Sequence, residues 1–270
     1  MLGAFFTNFT LQEEPRYILF THMLINDTAS LIIGLFLFFT YSFRIYFPVP
    51  VCYILVTASS VAFKVTPYNL AVMCLERFVA ICFPLRHTEW CTPQKTLLAI
   101  VAIWIIGLIP NVIDFIILCS SVRSDYFFVY CFCVRADLIR NGAQDTVRTL
   151  THISGFSLVG FIIVFTYINI MLVVMKFGSG KTVASKAGKT VMLHAFQLLL
   201  YMTAFFYNVI EVYLRKYFLL LPLINFFFFM FLPRFISPLI YGFWDEEFFK
   251  YIKRIVLCKS LRTFPNSGTI

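Results

Sequence analysis

The chain has 270 residues, of which 60% are hydrophobic, 19% aromatic and only 13% charged. Soluble domains average about 45–50% apolar and about 25% charged residues, so the composition excludes an ordinary soluble protein. The formal net charge is +9, and we expect it to reflect membrane topology and contact with anionic lipid. Nucleic-acid binding is not expected, because no basic face stands on a soluble domain.

Six apolar stretches are long enough to cross a membrane, since a helix needs about 20 residues to span about 30 Å of hydrocarbon. None of them alternates apolar and polar residues as the strands of a membrane β-barrel do. The sequence therefore predicts an all-α membrane bundle over 18–241, with a cytoplasmic stub before it (1–17) and an amphipathic helix and tail after it (242–270). The predicted spans are 18–41, 51–82, 96–119, 151–175, 190–210 and 218–241.

Basic residues set the orientation of these spans, because cytoplasmic loops carry an excess of Lys and Arg. The basic residues are more numerous on the side that holds Arg77, Lys95 and the Lys-rich segment 176–189. We therefore predict that this side and both termini are cytoplasmic, in a multi-pass protein of the plasma membrane.

Asp27 lies in the middle of the first predicted span. An ionisable side chain inside a membrane is a functional candidate by default. The alternative is a protonated, hydrogen-bonded structural residue, because burial disfavours the charged form of a carboxyl group. The sequence leaves both interpretations open.

Two further charged sites lie on the second predicted span. Glu76 and Arg77 come near its end, just before Pro84 and a short basic loop. They are either a switch in which the arginine is freed in one state, or an ion pair that only anchors the helix end. Lys64 lies about 20 Å from Arg77 along the helix, at 1.5 Å per residue.

A lysine at that depth must pair, reach the interface or lose its charge. Asp114 and Glu211 are the conceivable partners of Lys64. One hypothesis makes Lys64 a recognition point for a small acidic ligand. The alternative is an internal ion pair with Asp114.

The eight cysteines separate by side of the membrane. The inner ones should stay reduced, whereas the outer ones lie where disulfides persist. A bond from Cys52 to Cys131 or Cys133 would fix the loop between the third and fourth spans, but four cysteines allow three full pairings. Alternatively, these cysteines form no disulfide and pack as small hydrophobic side chains. The outer candidates are Cys52, Cys119, Cys131 and Cys133.

Several motifs occur in a fixed order along the chain. The most specific runs from Leu75 to His87 (LERFVAICFPLRH), and a second runs from Leu232 to Gly242 (LPRFISPLIYG). Together they resemble a rhodopsin-like G-protein-coupled receptor of the fish odorant-receptor type, over about Glu13 to Cys258. The other matching residues are 14–20, 24–27, Trp104, Tyr167, Lys186, Ala187, Thr190 and His194.

The resemblance implies a receptor that binds a small odorant and activates a heterotrimeric G protein of the olfactory or stimulatory type. It implies that Glu76, Arg77, Tyr167 and Tyr241 form the switch. It also implies a polar network between Asp27 and Ser237, with a sodium ion near Asp27 as the one implied cofactor. Cys258 is the lipidation candidate. The implied ligand-binding residues are Ser59, Ser60, Phe63, Lys64, Phe205, Asn208, Phe227 and Met230.

Two departures from that family stand out. The family has seven spans, and this chain has six predicted ones, so residues 1–12 resemble the end of a missing first helix. Ser237 also stands where the family usually has Asn or Asp. The alternatives are a truncated, weakly functional or non-functional receptor remnant and, from another class, a polytopic transporter. An enzyme is not expected, since no HExxH motif or Cys/His cluster has metal-ligand spacing.

Overall fold

The computed structural model describes residues 13–177, 192, 196, 199, 226–232, 234 and 235. This part of the chain is mostly helical, and two short strands and a 3-10 turn connect the helices. Four of its helices are long and apolar enough to cross a membrane. The elements are α1 (Pro15–Ser42), β1 (Phe47–Pro48), α2 (Val49–Cys82), α3 (Pro84–Trp90), α4 (Pro93–Ser121), a 3-10 helix (Ser124–Phe128), β2 (Tyr130–Cys131), α5 (Arg135–Leu138), α6 (Gly142–Phe177) and a π-helix (Phe226–Phe231).

Helix α2 forms the centre of the bundle, because α1, α4 and α6 all pack against it. Its Val65, Leu70 and Cys74 are completely buried. The outer helices instead expose large apolar side chains such as Ile105 and Phe161. A surface of that kind suits contact with lipid, because apolar side chains that face lipid are not exposed to water. The described part is therefore a helical membrane bundle.

Proline and threonine residues set several helix ends. Proline lies in the first turn of α1, α2, α3 and α4, where its missing N–H loses no hydrogen bond. The Thr92 hydroxyl caps α4 by accepting a hydrogen bond from the Lys95 amide at 3.3 Å. Pro67 and Pro110 lie inside α2 and α4, which packing against neighbouring helices makes tolerable in membranes.

The predicted spans compare with these helices as follows. Spans 18–41, 51–82 and 96–119 fall within α1, α2 and α4. Helix α6 begins at Gly142, well before the predicted 151, because Gln144 and Arg148 are buried helical residues rather than loop residues. The spans 190–210 and 218–241 lie largely outside the described residues, so the count of six remains a prediction.

At one end of the bundle, a small covalently fixed structure covers the helices. β1 and β2 pair antiparallel with Phe47 opposite Cys131, and the Val49 amide donates to the Val129 carbonyl at 3.0 Å. A disulfide joins Cys52 of α2 to Cys133, just after β2. We call this the disulfide end, and the opposite end, where α2 meets α3, the Arg77 end.

Candidate functional site

At the Arg77 end, the Glu76 carboxylate contacts two basic side chains. Glu76 Oε2 lies 3.6 Å from Arg77 Nε, and Glu76 Oε1 lies 3.2 Å from His87 Nε2. Glu76 is only 9% exposed, so water screens these contacts less than it screens surface ion pairs. We call Glu76, Arg77 and His87 the Glu76 clamp. The structure thus brings Glu76 and Arg77 together and adds His87, which the sequence motif contained without a role.

The turn between α2 and α3 places His87 in the clamp. Pro84 starts α3 directly after Phe83 ends α2. The Phe83 ring packs on Phe78 at 5.6 Å and on Trp90 at 5.9 Å. These apolar contacts fold α3 back toward the end of α2, so that a side chain on its first turn can reach Glu76.

A polar network crosses the middle of the bundle. Asn26 Nδ2 donates to the Ala62 carbonyl and to Thr66 Oγ1, each at 2.9 Å, and Thr66 Oγ1 donates to Asp27 Oδ1 at 2.9 Å. Arg234 Nε lies 3.8 Å from the same Asp27 oxygen. Sequence reasoning assigned no role to Arg234. The charge of Arg234 within a predicted span could have indicated the pair with Asp27, since opposite charges within membrane spans tend to pair.

A second chain of hydrogen bonds joins α1, α2 and α4. Trp104 Nε1 donates to His22 Nε2 at 2.9 Å, because an indole N–H can only donate. His22 therefore carries its proton on Nδ1, 3.2 Å from Asn69 Oδ1. Asn69 Nδ2 in turn donates to the Leu19 carbonyl at 3.0 Å. This arrangement gives Trp104 a packing role among three helices.

Lys64 lies beside a small cavity between α2 and α6. The cavity measures about 10 Å³, which is about the room that one water molecule needs. At Gly155, an added Cβ would lie 2.6 Å from the Tyr68 hydroxyl, so glycine leaves room for the end of the Tyr68 side chain. Phe63 lies against the same region, with its ring 6.2 Å from the Phe156 ring. The lining includes Lys64, Tyr68, Thr151, His152, Gly155 and Phe156.

Asp114 is the centre of a buried cluster near the disulfide end. It forms an ion pair with Arg148 and accepts hydrogen bonds from Tyr53 Oη at 3.0 Å and Gln144 Nε2 at 3.3 Å. Within the described residues, the ion pair of Asp114 is thus with Arg148, and no ion pair joins Asp114 to Lys64. The physical reason is that α6 starts early enough to bring Arg148 onto a helix beside α4.

The cysteines take one of the arrangements that the sequence left open. Cys52 and Cys133 are bonded, whereas Cys119 is exposed and free and Cys131 is buried and free. Cys74 is a buried free thiol in α2. Within the described ranges, no group of three or more His, Cys, Asp or Glu residues could hold a metal ion.

The remaining predicted site residues are placed as follows. Ser59 and Ser60 are half-buried on α2, and Tyr167 packs against the apolar core from α6. Phe227 is 48% exposed, and the Met230 backbone belongs to the π-helix. The predictions for six others lie outside the described residues: Phe205, Asn208, Glu211, Ser237, Tyr241 and Cys258.

A helical membrane bundle with a charged clamp at one end and a disulfide-fixed strand pair at the other agrees with the predicted transmembrane receptor. The chain belongs to the 7 transmembrane receptor (rhodopsin family), whose pattern matches residues 2–258. The match confirms the predicted class. It follows that the protein is a G-protein-coupled receptor of the plasma membrane and not an enzyme, with a small-molecule ligand and a G protein as its partners.

Individual relatives carry olfactory names. Odorant receptor 131-2 of Danio rerio is 29% identical over 252 residues, which cover 91% of this chain and 77% of that receptor. Olfactory receptor 4F6 of Homo sapiens is 35% identical over 121 residues, 41% of this chain and 38% of that receptor. Olfactory receptor 2M4 of Homo sapiens is 27% identical over 208 residues, 72% of this chain and 64% of that receptor. These similarities do not favour the transporter or the receptor remnant.

Proposed function

We propose that this receptor is an odorant receptor that binds its ligand near Lys64 and activates a G protein at the Arg77 end. The observation that carries the proposal is the arrangement of charge on α2. Lys64 is 6% exposed, and Arg77 of the Glu76 clamp lies about 20 Å further along the same helix, at 1.5 Å per residue. Helix α2 therefore connects Lys64, the charge on the ligand side, with Arg77, the charge on the G-protein side.

The mechanism is a shift between two conformations. In the closed conformation, Glu76 holds Arg77 and His87. A ligand that binds the open conformation more tightly raises its population. The open conformation frees Arg77 for the G protein, with Tyr167 and Tyr241 rearranging around the guanidinium. The G protein must in turn raise ligand affinity, because coupling between two sites is reciprocal.

The finer features of this proposal come from the sequence. The G protein is of the olfactory or stimulatory type, as the resemblance to odorant receptors implies. The basic, amphipathic segment 242–270 contacts anionic lipid, and Cys258 is its lipidation site. The ligand also contacts residues of the later spans, among them Phe205, Asn208, Phe227 and Met230.

Replacing Arg77 with alanine should strongly reduce agonist-dependent signalling without removing the protein from the cell surface. The guanidinium is the group that the open conformation offers to the G protein, so we expect at least about a tenfold loss, within the usual range of coupling energies. The measurement is cAMP production against an odorant panel, normalised to surface display. Arg123→Ala, at the exposed disulfide end, is the matched control. Normal signalling by a displayed Arg77→Ala receptor would contradict the proposed function.

Replacing Lys64 with methionine should weaken the response to acidic odorants and leave neutral odorants unaffected. Methionine keeps the length of the side chain but removes its charge, while Arg135 and Arg148 add positive potential near the same site. We expect the half-maximal concentration of acidic agonists to rise about tenfold, the equivalent of about 1.4 kcal/mol. Lys95→Met, exposed in the first turn of α4, is the control. An unchanged response to every acidic agonist would exclude Lys64 as a ligand contact.

A further inference from the structure

Arg234 is the most deeply buried large charged side chain in the described part of the chain. It is 2% exposed, and the Asp27 carboxyl group beside it is 1% exposed. Its Nε atom lies 3.8 Å from Asp27 Oδ1. The guanidinium carbon also lies 5.9 Å from the centre of the Phe63 ring, a cation–π contact. Arg234 therefore sits between α1 and α2 with one carboxylate and one ring as its partners.

This geometry tests whether a sodium ion fits beside Asp27. Hard metal cations need several oxygen ligands and enough space around the ion for them. Here the guanidinium stands within 4 Å of the carboxylate that would carry the ion's charge. A second cation in the same buried space would be repelled strongly, since the surroundings screen charge weakly. The residues present do not fit a bound sodium ion.

We propose that Arg234 is a tethered counter-ion that takes the place of a diffusible cation at Asp27. The side chain neutralises the intramembrane carboxylate from within the chain and links α1 to the segment that follows the π-helix. Receptor stability should then be independent of which monovalent cation is in solution. The proposal concerns the resting fold, so it stands or falls separately from odorant recognition and G-protein activation.

The unsatisfied polar atoms around the pair support this interpretation. Among the described residues, Arg234 Nε, Nη1 and Nη2 have no hydrogen-bond partner, and the same holds for the buried atoms Asn26 Oδ1 and Ser30 Oγ. Ser30 follows Asp27 by one helical turn and so lies on the same face of α1. If the guanidinium were removed, the Asn26 and Ser30 oxygens would lie near a carboxylate that Arg234 no longer neutralises, and a cation could take its place.

The primary test compares sodium chloride with choline chloride at matched ionic strength. The purified full-length receptor should unfold at the same temperature in both salts. The Arg234→Ser variant, which opens the space and supplies a further hydroxyl, should be less stable than the wild type in choline. It should recover several degrees specifically in sodium. Arg123→Ser, from the exposed loop, controls for general salt effects. A sodium-specific increase in the melting temperature of the wild type would overturn the proposal.

A double-mutant cycle keeps the proposal testable if Arg234→Ser does not fold. Asp27→Asn and Arg234→Gln each leave one buried charge without its partner, so each should lower the melting temperature. The double variant Asp27→Asn/Arg234→Gln removes both charges and should lose clearly less than the sum of the two. Additive losses would show that the two groups do not act as a pair, and would overturn the proposal whatever the signalling assays report.

Discussion

A receptor in which Cys133 is replaced by serine is expected to lose about 4 kcal/mol of folding stability, and with it most of its surface display. The bond between Cys52 and Cys133 spans a sequence separation of 81 residues. In the chain-entropy description, closing a loop of that length restricts the unfolded chain by about 4 kcal/mol. The variant also leaves the Cys52 sulfur, which is 0% exposed, as an unbonded thiol. Thermal unfolding of the purified protein and surface labelling measure the two effects.

The neighbouring cysteines provide the controls. Cys119→Ser removes an exposed free thiol near the same end and should be nearly neutral. Cys131 is not an equivalent control, because its carbonyl oxygen lies 3.7 Å from the Cys52 sulfur. Burial and the nearby Asp137 carboxylate raise the pKa of the Cys131 thiol. A raised pKa reduces the thiolate at neutral pH, and the thiolate is the species that attacks disulfides. Equal stability of Cys133→Ser and Cys119→Ser would contradict the role given to the bond.

Replacing Asp114 with alanine is expected to cost about 3–5 kcal/mol, the range observed when one partner of a buried ion pair is removed. Asp114 is 2% exposed and Arg148 is 8% exposed, so the remaining guanidinium would be buried without a counter-charge. The variant also removes one of the two acceptors near the Tyr53 hydroxyl and one of the two near the Gln144 amide. The melting temperature of the solubilised receptor measures the loss.

Coupled variants separate the ion pair from simple packing. Arg148→Met should destabilise the receptor because it leaves the Asp114 carboxylate without its ion-pair partner. The double variant Asp114→Leu/Arg148→Met should recover much of the loss, because an apolar replacement of a buried pair is often close to neutral. Tyr53→Phe should cost only about 1 kcal/mol, as for one hydrogen bond. Strictly additive effects in the double variant would contradict the ion pair.

The described helices show what apolar sequence can and cannot predict. Span 18–41 falls within Pro15–Ser42 because a long apolar run has few alternatives in lipid. Arg148 was expected in a loop because charged side chains are typical of loops, whereas it lies within α6 and pairs there with Asp114. Partners of this kind lie on separate helices, so no local pattern reveals them.

The candidate site was predictable where a motif places residues side by side. Glu76 and Arg77 are adjacent in sequence, so their 3.6 Å contact needs no packing of distant segments. His87 joins them only because α3 folds back, and Arg234 reaches Asp27 only through the packing of distant segments. The choice of Cys133 over Cys131 likewise depends on the register of β1 and β2.

The Glu76 clamp has a mechanical consequence for any protein that docks at this end. Leu85, two residues before His87 on α3, is 94% exposed. If a docked partner displaced α3 through Leu85, the distance between His87 Nε2 and the Glu76 carboxylate would change. Under the proposed function, that change would alter the contact of Glu76 with Arg77 without any contact between the partner and the guanidinium. Helix α3 would then be a second point at which a docked protein influences the receptor.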